Sequence, residues 1–269
     1  MKRTIENYKE NILKEGLKRA LYHSEQTRVV YDELANFMFL RQYKQYSEKL
    51  EQLHNKHKGQ RCFLVATGPS INKTNLSLLD NEITVGVNTA YKLPVNYNYF
   101  VVSDRIIWDV YKDTLLSLDT TLFIGYVASR HFLSHKLRDD VYLVKGKRTT
   151  SLPQSFPSTI NKHVYVYANT VVYLALQILY YLGFSEVYLL GCDCTYSVGH
   201  FDGQKFTKHG RIQTIASEEE KFWNKIFDAY KICKNVYEND NRKIYNATIG
   251  GELEVFERKK IEDVINGQN

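Results

Sequence analysis

Cysteine and proline are scarce in this 269-residue chain, with four of each, and methionine occurs only twice. Cys62, Cys192, Cys194 and Cys233 show no paired zinc spacing, and Cys62 and Cys192 lie in apolar runs, so they read as reduced core thiols. Long hydrophobic runs are also missing. The longest, Val171 to Leu182, is shorter than the about 20 residues that cross a bilayer, and it contains Gln177. The opening residues, Met1-Lys2-Arg3-Thr4-Ile5-Glu6, are charged throughout and lack the apolar centre of a signal peptide. The expected location is the cytoplasm, either free or at the inner face of the membrane. There is no arginine-rich arm, zinc-finger spacing or aromatic ribonucleoprotein motif, which argues against nucleic acid as a partner. An Asp-x-Asp metal motif is absent as well, because Asp193 is followed by Cys194 and Thr195. No metal or other cofactor is expected on that ground.

What is present suits a folded domain. Hydrophobic residues make up 43% and charged residues 25%, enough for one substantial core. The 21 tyrosines fit stacking on sugars or bases, and fit equally a genome rich in Lys, Asn and Tyr codons. The charge balance of 36 Lys and Arg against 30 Asp and Glu gives +6, which favours anionic ligands such as nucleotides or an anionic membrane surface.

Three segments emerge along the chain. Residues 1–57 carry apolar positions at helical intervals, such as Ile5, Tyr8, Ile12, Leu17 and Leu21, among many Lys and Glu. They read as a helical N-terminal extension, with a second helix through Tyr43 to His54 that stops at Lys58-Gly59-Gln60. Such an arm serves packing or homo-oligomerisation or, through its Lys-rich face, a peripheral membrane contact. From residue 58 to 256, short apolar runs alternate with helical stretches, the texture of an α/β domain: a Rossmann-like, mainly parallel sheet flanked by helices. Strands are expected at 61–66, 83–87, 98–102, 121–125, 141–144, 164–167, 186–190 and 243–246. The clearest helix is Thr170 to Leu182, apolar almost all round and ended by Gly183. Residues 257–269 are left as a tail.

Ligands in parallel sheets bind beyond the carboxyl ends of the strands, where the strand order reverses. Small or polar residues follow four of the expected strands. The first delivers Thr67-Gly68-Pro69-Ser70, a turn in which Pro69 can open a helix whose N–H groups would face an anion. The second delivers Asn88, the third Ser103 and Asp104, and a later one Gly191-Cys192-Asp193. Each is also an ordinary turn former, but four in one domain point to a ligand cleft. Asn88 can both donate to and accept from a nucleobase or sugar edge. Asp104 and Asp193 could hold ribose hydroxyls, hold Mg²⁺ or cap loops. Asn169 and Thr170 stand at the start of the apolar helix, where they can cap it or help hold a phosphate. His200 is placed to act as a general base, with His209 its rival and a plain surface histidine the alternative. Tyr196 reads as a phosphate-bonding residue or a loop aromatic, and Lys145-Gly146-Lys147-Arg148-Thr149-Thr150 as a cationic patch or a solvated loop.

The runs Ala66 to Ser70, Gly86-Val87-Asn88, Val102-Ser103-Asp104, Leu174 to Asp193, Gly199-His200-Phe201 and Ile244 to Thr248 together resemble a bacterial family. Its domain is named after the archaeal 6-hydroxymethylpterin diphosphokinase, and the resemblance covers roughly residues 58–256. The same pieces are similar to Campylobacter-type sialyltransferases, in Gly68-Pro69-Ser70, Asn88, Thr170 and Gly191-Cys192-Asp193. Motility-associated flagellin glycosyltransferases also contain this domain. The resemblance implies a glycosyltransferase acting on a nucleotide-sugar donor, a CMP-sugar, and on a hydroxyl of a glycan or protein acceptor. The Gly68 turn and Asn88 would lie at the nucleotide, Thr170 near the phosphate, and a loop histidine would be the base. The sialyltransferase histidine lies further past its Gly-x-Asp strand than His200 does. The alternatives are Mg²⁺-dependent diphosphate transfer from ATP to a hydroxymethyl pterin, with Asp104 and Asp193 as ligands, and a non-catalytic nucleotide-binding module.

Overall fold

The computed structural model describes residues 48–125, 138–168, 170–195, 200–202 and 216–267. Most of the N-terminal extension lies outside this range, as do Asn169, Tyr196 and His209. Eight strands form one all-parallel sheet: β1 (Arg61–Val65), β2 (Thr84–Val87), β3 (Tyr99–Val102), β4 (Thr121–Ile124), β5 (Val141–Leu143), β8 (Glu186–Leu190), β9 (Lys243–Asn246) and β10 (Glu257–Arg258). Two further strands, β6 (Gly146–Arg148) and β7 (Val164–Val166), pair in parallel as a separate ribbon. Among the described residues the longer helices are α1 (Arg105–Ser117), α2 (Val171–Leu182) and α3 (Ala216–Asn239), with a short α4 (Ile261–Ile265) near the end. The Rossmann-like α/β reading therefore holds.

The strand order is β10-β9-β8-β1-β2-β3-β4-β5. The sheet grows in one direction from β1 to β5 and in the other from β8 to β10, so the order reverses between β1 and β8. Cys62 to Val65 and Val187 to Leu190 are buried along their whole length rather than alternately, as expected of central parallel strands covered on both faces. Helix α2 supplies much of the cover. Ten of its residues are buried, Thr170 caps its start by accepting the N–H of Val172, and Gly183 ends it at φ +93°.

The eight strands expected from the sequence are all present, with one relocated: 164–167 appears as β7, in the ribbon and not in the main sheet. Gln177 explains how β7 is held. Its side chain accepts the N–H of Tyr165 at 2.8 Å and donates to the Tyr165 carbonyl at 3.0 Å, so the edge of the ribbon is completed from inside an apolar helix. The sheet also continues beyond residue 256. β10 pairs with β9, Ile261 and Val264 are buried, and Arg61 donates to the Val264 carbonyl at 3.0 Å. At the other end, Leu50 and Leu53 of the extension are packed into the core.

Candidate functional site

Register puts the strand ends level with one another. Val65 faces Gly86 on one side and Leu190 on the other, and Val87 faces Val101. Thr67 to Ser70, Asn88, Ser103 and Asp104, and Gly191 to Asp193 therefore leave the sheet at the same carboxyl rim. Thr170 joins them, because α2 begins at this edge. Its Leu174 packs so closely on Gly125, just past β4, that a Cβ there would lie 2.5 Å from Leu174 Cδ2.

The β1–β8 ladder runs past both strands, with Ala66 N–H donating to Leu190 O and Gly68 N–H to Gly191 O, each at 2.8 Å. Beyond it the chain does not form the expected anion-binding helix start. Pro69–Lys73 is a five-residue 3-10 helix with Pro69 at its opening. Asp193 already occupies its end: the Ser70 N–H donates to Asp193 Oδ1 at 3.2 Å and the Ser70 hydroxyl to Oδ2 at 2.8 Å. Gly68 is required here, since a Cβ would stand 1.9 Å from Asp193 Oδ2. A phosphate at this turn would displace a carboxylate that both Ser70 donors satisfy. The seat read from the sequence as a phosphate cradle is filled by the chain's own anion.

Asp193 is fixed from the other side too. Its carbonyl accepts the Glu252 N–H at 2.8 Å, and Gly251, at φ +73°, lies close enough that a Cβ would be 2.6 Å from that oxygen. Thr248 accepts the Cys192 N–H at 3.0 Å. Arg258 holds the supporting turn by donating to the carbonyls of Thr248, Gly250 and Gly251. Of these residues, the sequence reading singled out Gly191-Cys192-Asp193 and the run Ile244 to Thr248. Arg258, which also pairs with the Glu254 carboxylate, was not singled out, because the carbonyls it holds leave no mark in the sequence.

His200 lies against the same turn. Its Nδ1 is 2.9 Å from Thr67 Oγ1 and 3.3 Å from the Thr67 carbonyl, which also accepts the Phe201 N–H at 2.9 Å. Asn88 adopts φ +48° and directs Oδ1 at the Ser103 N–H, 3.5 Å away. Two further non-glycine residues with positive φ, Ala168 and Cys194, flank the rim before α2 and after β8. Unusual backbone of this kind concentrates where a site is shaped. The Cys194 thiol is pushed up to about 12 by burial, with the Asp193 and Glu252 carboxylates adding to it, which keeps it protonated and un-nucleophilic.

The two acidic candidates do not converge. Asp104 caps α1, its Oδ1 accepting the N–H groups of Ile106 at 2.7 Å and Ile107 at 3.2 Å. Asp193 follows β8, three strand spacings away, roughly 14 Å at the usual interstrand distance. One Mg²⁺, which takes oxygens at about 2.1 Å, is not shared across that gap. Among the described residues no group of three His, Cys, Asp or Glu could hold a metal ion. No helix among them is long and apolar enough to cross a membrane.

Fold and rim together define a doubly wound α/β domain with polar side chains gathered at its topological switch point. Residues 37–199, more than half the chain, match the family described as 6-hydroxymethylpterin diphosphokinase MptE-like, and the chain belongs to that family. No curated protein matches it. Membership is compatible with transferase chemistry of either the glycosyl or the diphosphoryl kind.

Proposed function

We propose that the chain is a glycosyltransferase that moves a sialic-acid-like sugar from a CMP-sugar to a hydroxyl of a surface glycan or glycoprotein on the cytoplasmic side of the membrane. The observation that carries this reading is the His200–Thr67 contact at 2.9 Å, which puts an imidazole at the rim that also bears Asn88, Ser103 and Thr170. In this reading the His200 imidazole, set against Thr67, is the base. It takes the proton of the acceptor hydroxyl as that oxygen bonds to the anomeric carbon, and the bond from the anomeric carbon to the phosphate oxygen breaks to release CMP. Asn88, its Oδ1 turned to Ser103, offers its amide N–H groups to an acceptor-bearing base edge such as that of cytosine. The leaving phosphate lies towards Thr170, where the twelve-residue α2 presents its positive end, and away from the Gly68 turn that Asp193 fills. The sequence resemblance to Campylobacter-type sialyltransferases read at Gly68-Pro69-Ser70, Asn88, Thr170 and Gly191-Cys192-Asp193 implies the same donor.

The family's description favours a second reading, diphosphate transfer from ATP to a hydroxymethyl pterin. That reaction needs Mg²⁺ on the phosphate oxygens, and Asp104 and Asp193 are too far apart to hold it jointly. A thermal-shift panel separates the two. Stabilisation by CMP or CDP in EDTA supports glycosyl transfer, whereas stabilisation by ATP only with Mg²⁺ supports the diphosphokinase and overturns the first reading. The remaining proposals, an oligomerisation or membrane-contacting role for residues 1–57, concern a segment mostly outside the described residues.

A further inference from the structure

Three consecutive residues, His200, Phe201 and Asp202, are each tied to a different element. His200 meets Thr67 just past β1. The Phe201 carbonyl accepts from Asn72 Nδ2 at 2.9 Å, on the 3-10 helix Pro69–Lys73. Asp202 Oδ2 receives Lys92 Nζ at 2.6 Å, at the far end of the 3-10 helix Asn88–Lys92. The Lys92 end of this pair is exposed and the Asp202 end is the more sheltered one. The Asp202 side chain is 15% exposed, and the ammonium also lies 5.4 Å from the Tyr111 ring centroid. A ring carried on an unanchored loop would sample several rotamers, whereas these three ties over-determine its place.

We infer that Lys92 and Asn72 are positioning residues for the His200 imidazole: they hold Asp202 and the Phe201 carbonyl so that the ring stays on Thr67. The inference rests on the reading of His200 as the base. Lys92 ends the same short helix that Asn88 begins, so it can be changed without touching the residue assigned to the nucleotide. A base displaced by about 1 Å loses up to 10²-fold in rate.

The test uses the full chain with Lys92→Met, Asn72→Ala, the double variant and Lys92→Arg. CMP release from CMP-N-acetylneuraminate gives kcat and KM, and ¹⁵N NMR of the histidine ring reports the state of Nδ1 without any substrate. The expected result is a loss of about tenfold in kcat for each single variant and up to about 10²-fold for the double, with KM within about twofold. Lys92→Arg restores the rate, and the His200 ring signals lose their Thr67-bonded Nδ1 signature in Lys92→Met. Unchanged His200 signals and wild-type kcat in the double variant would overturn the inference, as would a fall in kcat matched by an equal loss of CMP binding. Full activity in His200→Ala would instead remove the assignment of the base, while the ring signals would still show whether Lys92 and Asn72 hold it.

Discussion

Ser70 grips the Asp193 carboxylate twice, through its backbone N–H at 3.2 Å and its hydroxyl at 2.8 Å, across 123 residues of sequence. This pair ties the exit of β1 to the exit of β8 at the point where the strand order reverses. Removing the carboxylate strands two buried donors. Asp193→Ala should therefore lose roughly 2–4 kcal/mol of stability in urea titration, and Asp193→Asn clearly less, because its amide oxygen still accepts one of the two bonds. Equal losses for the two variants would contradict the arrangement.

Gly68→Ala tests the same seat sterically. The added Cβ meets Asp193 Oδ2 at 1.9 Å and the Gly191 carbonyl at 2.5 Å, and neither backbone nor clamped carboxylate can retreat freely. A cost of about 3 kcal/mol, at the high end for an overpacked site, is expected in the same titration. A variant as stable as the wild type would show that the β1–β8 exit is looser than described.

His200→Ala should lower kcat by at least about 10²-fold while leaving CMP affinity within about twofold, since the ring is assigned to the acceptor proton and not to the nucleotide. Isothermal titration with CMP beside a CMP-release assay reads both. Retained turnover would leave a binding module as the better description.

Gln177→Leu keeps the apolar character and length of α2 but removes both bonds to Tyr165. A loss of roughly 2–3 kcal/mol is expected, against little for a change at a solvent-facing position, because the Tyr165 N–H and carbonyl are left without their partners in a half-buried ribbon. Amide hydrogen exchange at Tyr165 should rise in parallel.

A pH prediction comes from the amino end of the sheet, where His57 Nε2 and the Tyr99 hydroxyl are 2.5 Å apart and the His57 ring stacks on Phe184. Burial holds the His57 pKa below its ordinary 6.5, so the unfolded chain takes up a proton that the folded one resists, and stability falls as pH drops through and below 6.5. Burial pushes Tyr99 up to about 12 from an ordinary 10.0, so its contribution is complete below pH 10 and is lost as pH climbs towards 12. Melting temperatures across this range should form a plateau with both shoulders, and Tyr99→Phe should blunt the alkaline one.

Most of the sheet was legible because central parallel strands are apolar on both faces, which leaves unbroken runs such as Cys62 to Val65 and Val187 to Leu190. The strand β6, Gly146-Lys147-Arg148, was not, since a short charged segment that pairs along one edge has no apolar signature and reads as a cationic loop. Thr170 was legible as a helix start and is one. The gathering of Thr67, Asn88, Ser103, Asp104 and Asp193 at one edge followed from their positions after strands, once the strands were parallel, whereas Thr170 reaches it as the start of α2.

By itself, the order of apolar runs and turn residues determined a parallel α/β domain and the rim at which its polar residues emerge, because both are local consequences of strand burial and chain direction. Only the tertiary structure decided what those residues do to one another. It put the Asp193 carboxylate, not an open anion seat, on the Ser70 donors, and it fastened His200 to Thr67 with Asn72 and Lys92 behind it. Such pairings join residues 110 to 133 positions apart, and hydrogen bonds of that range leave no periodicity in the sequence to read.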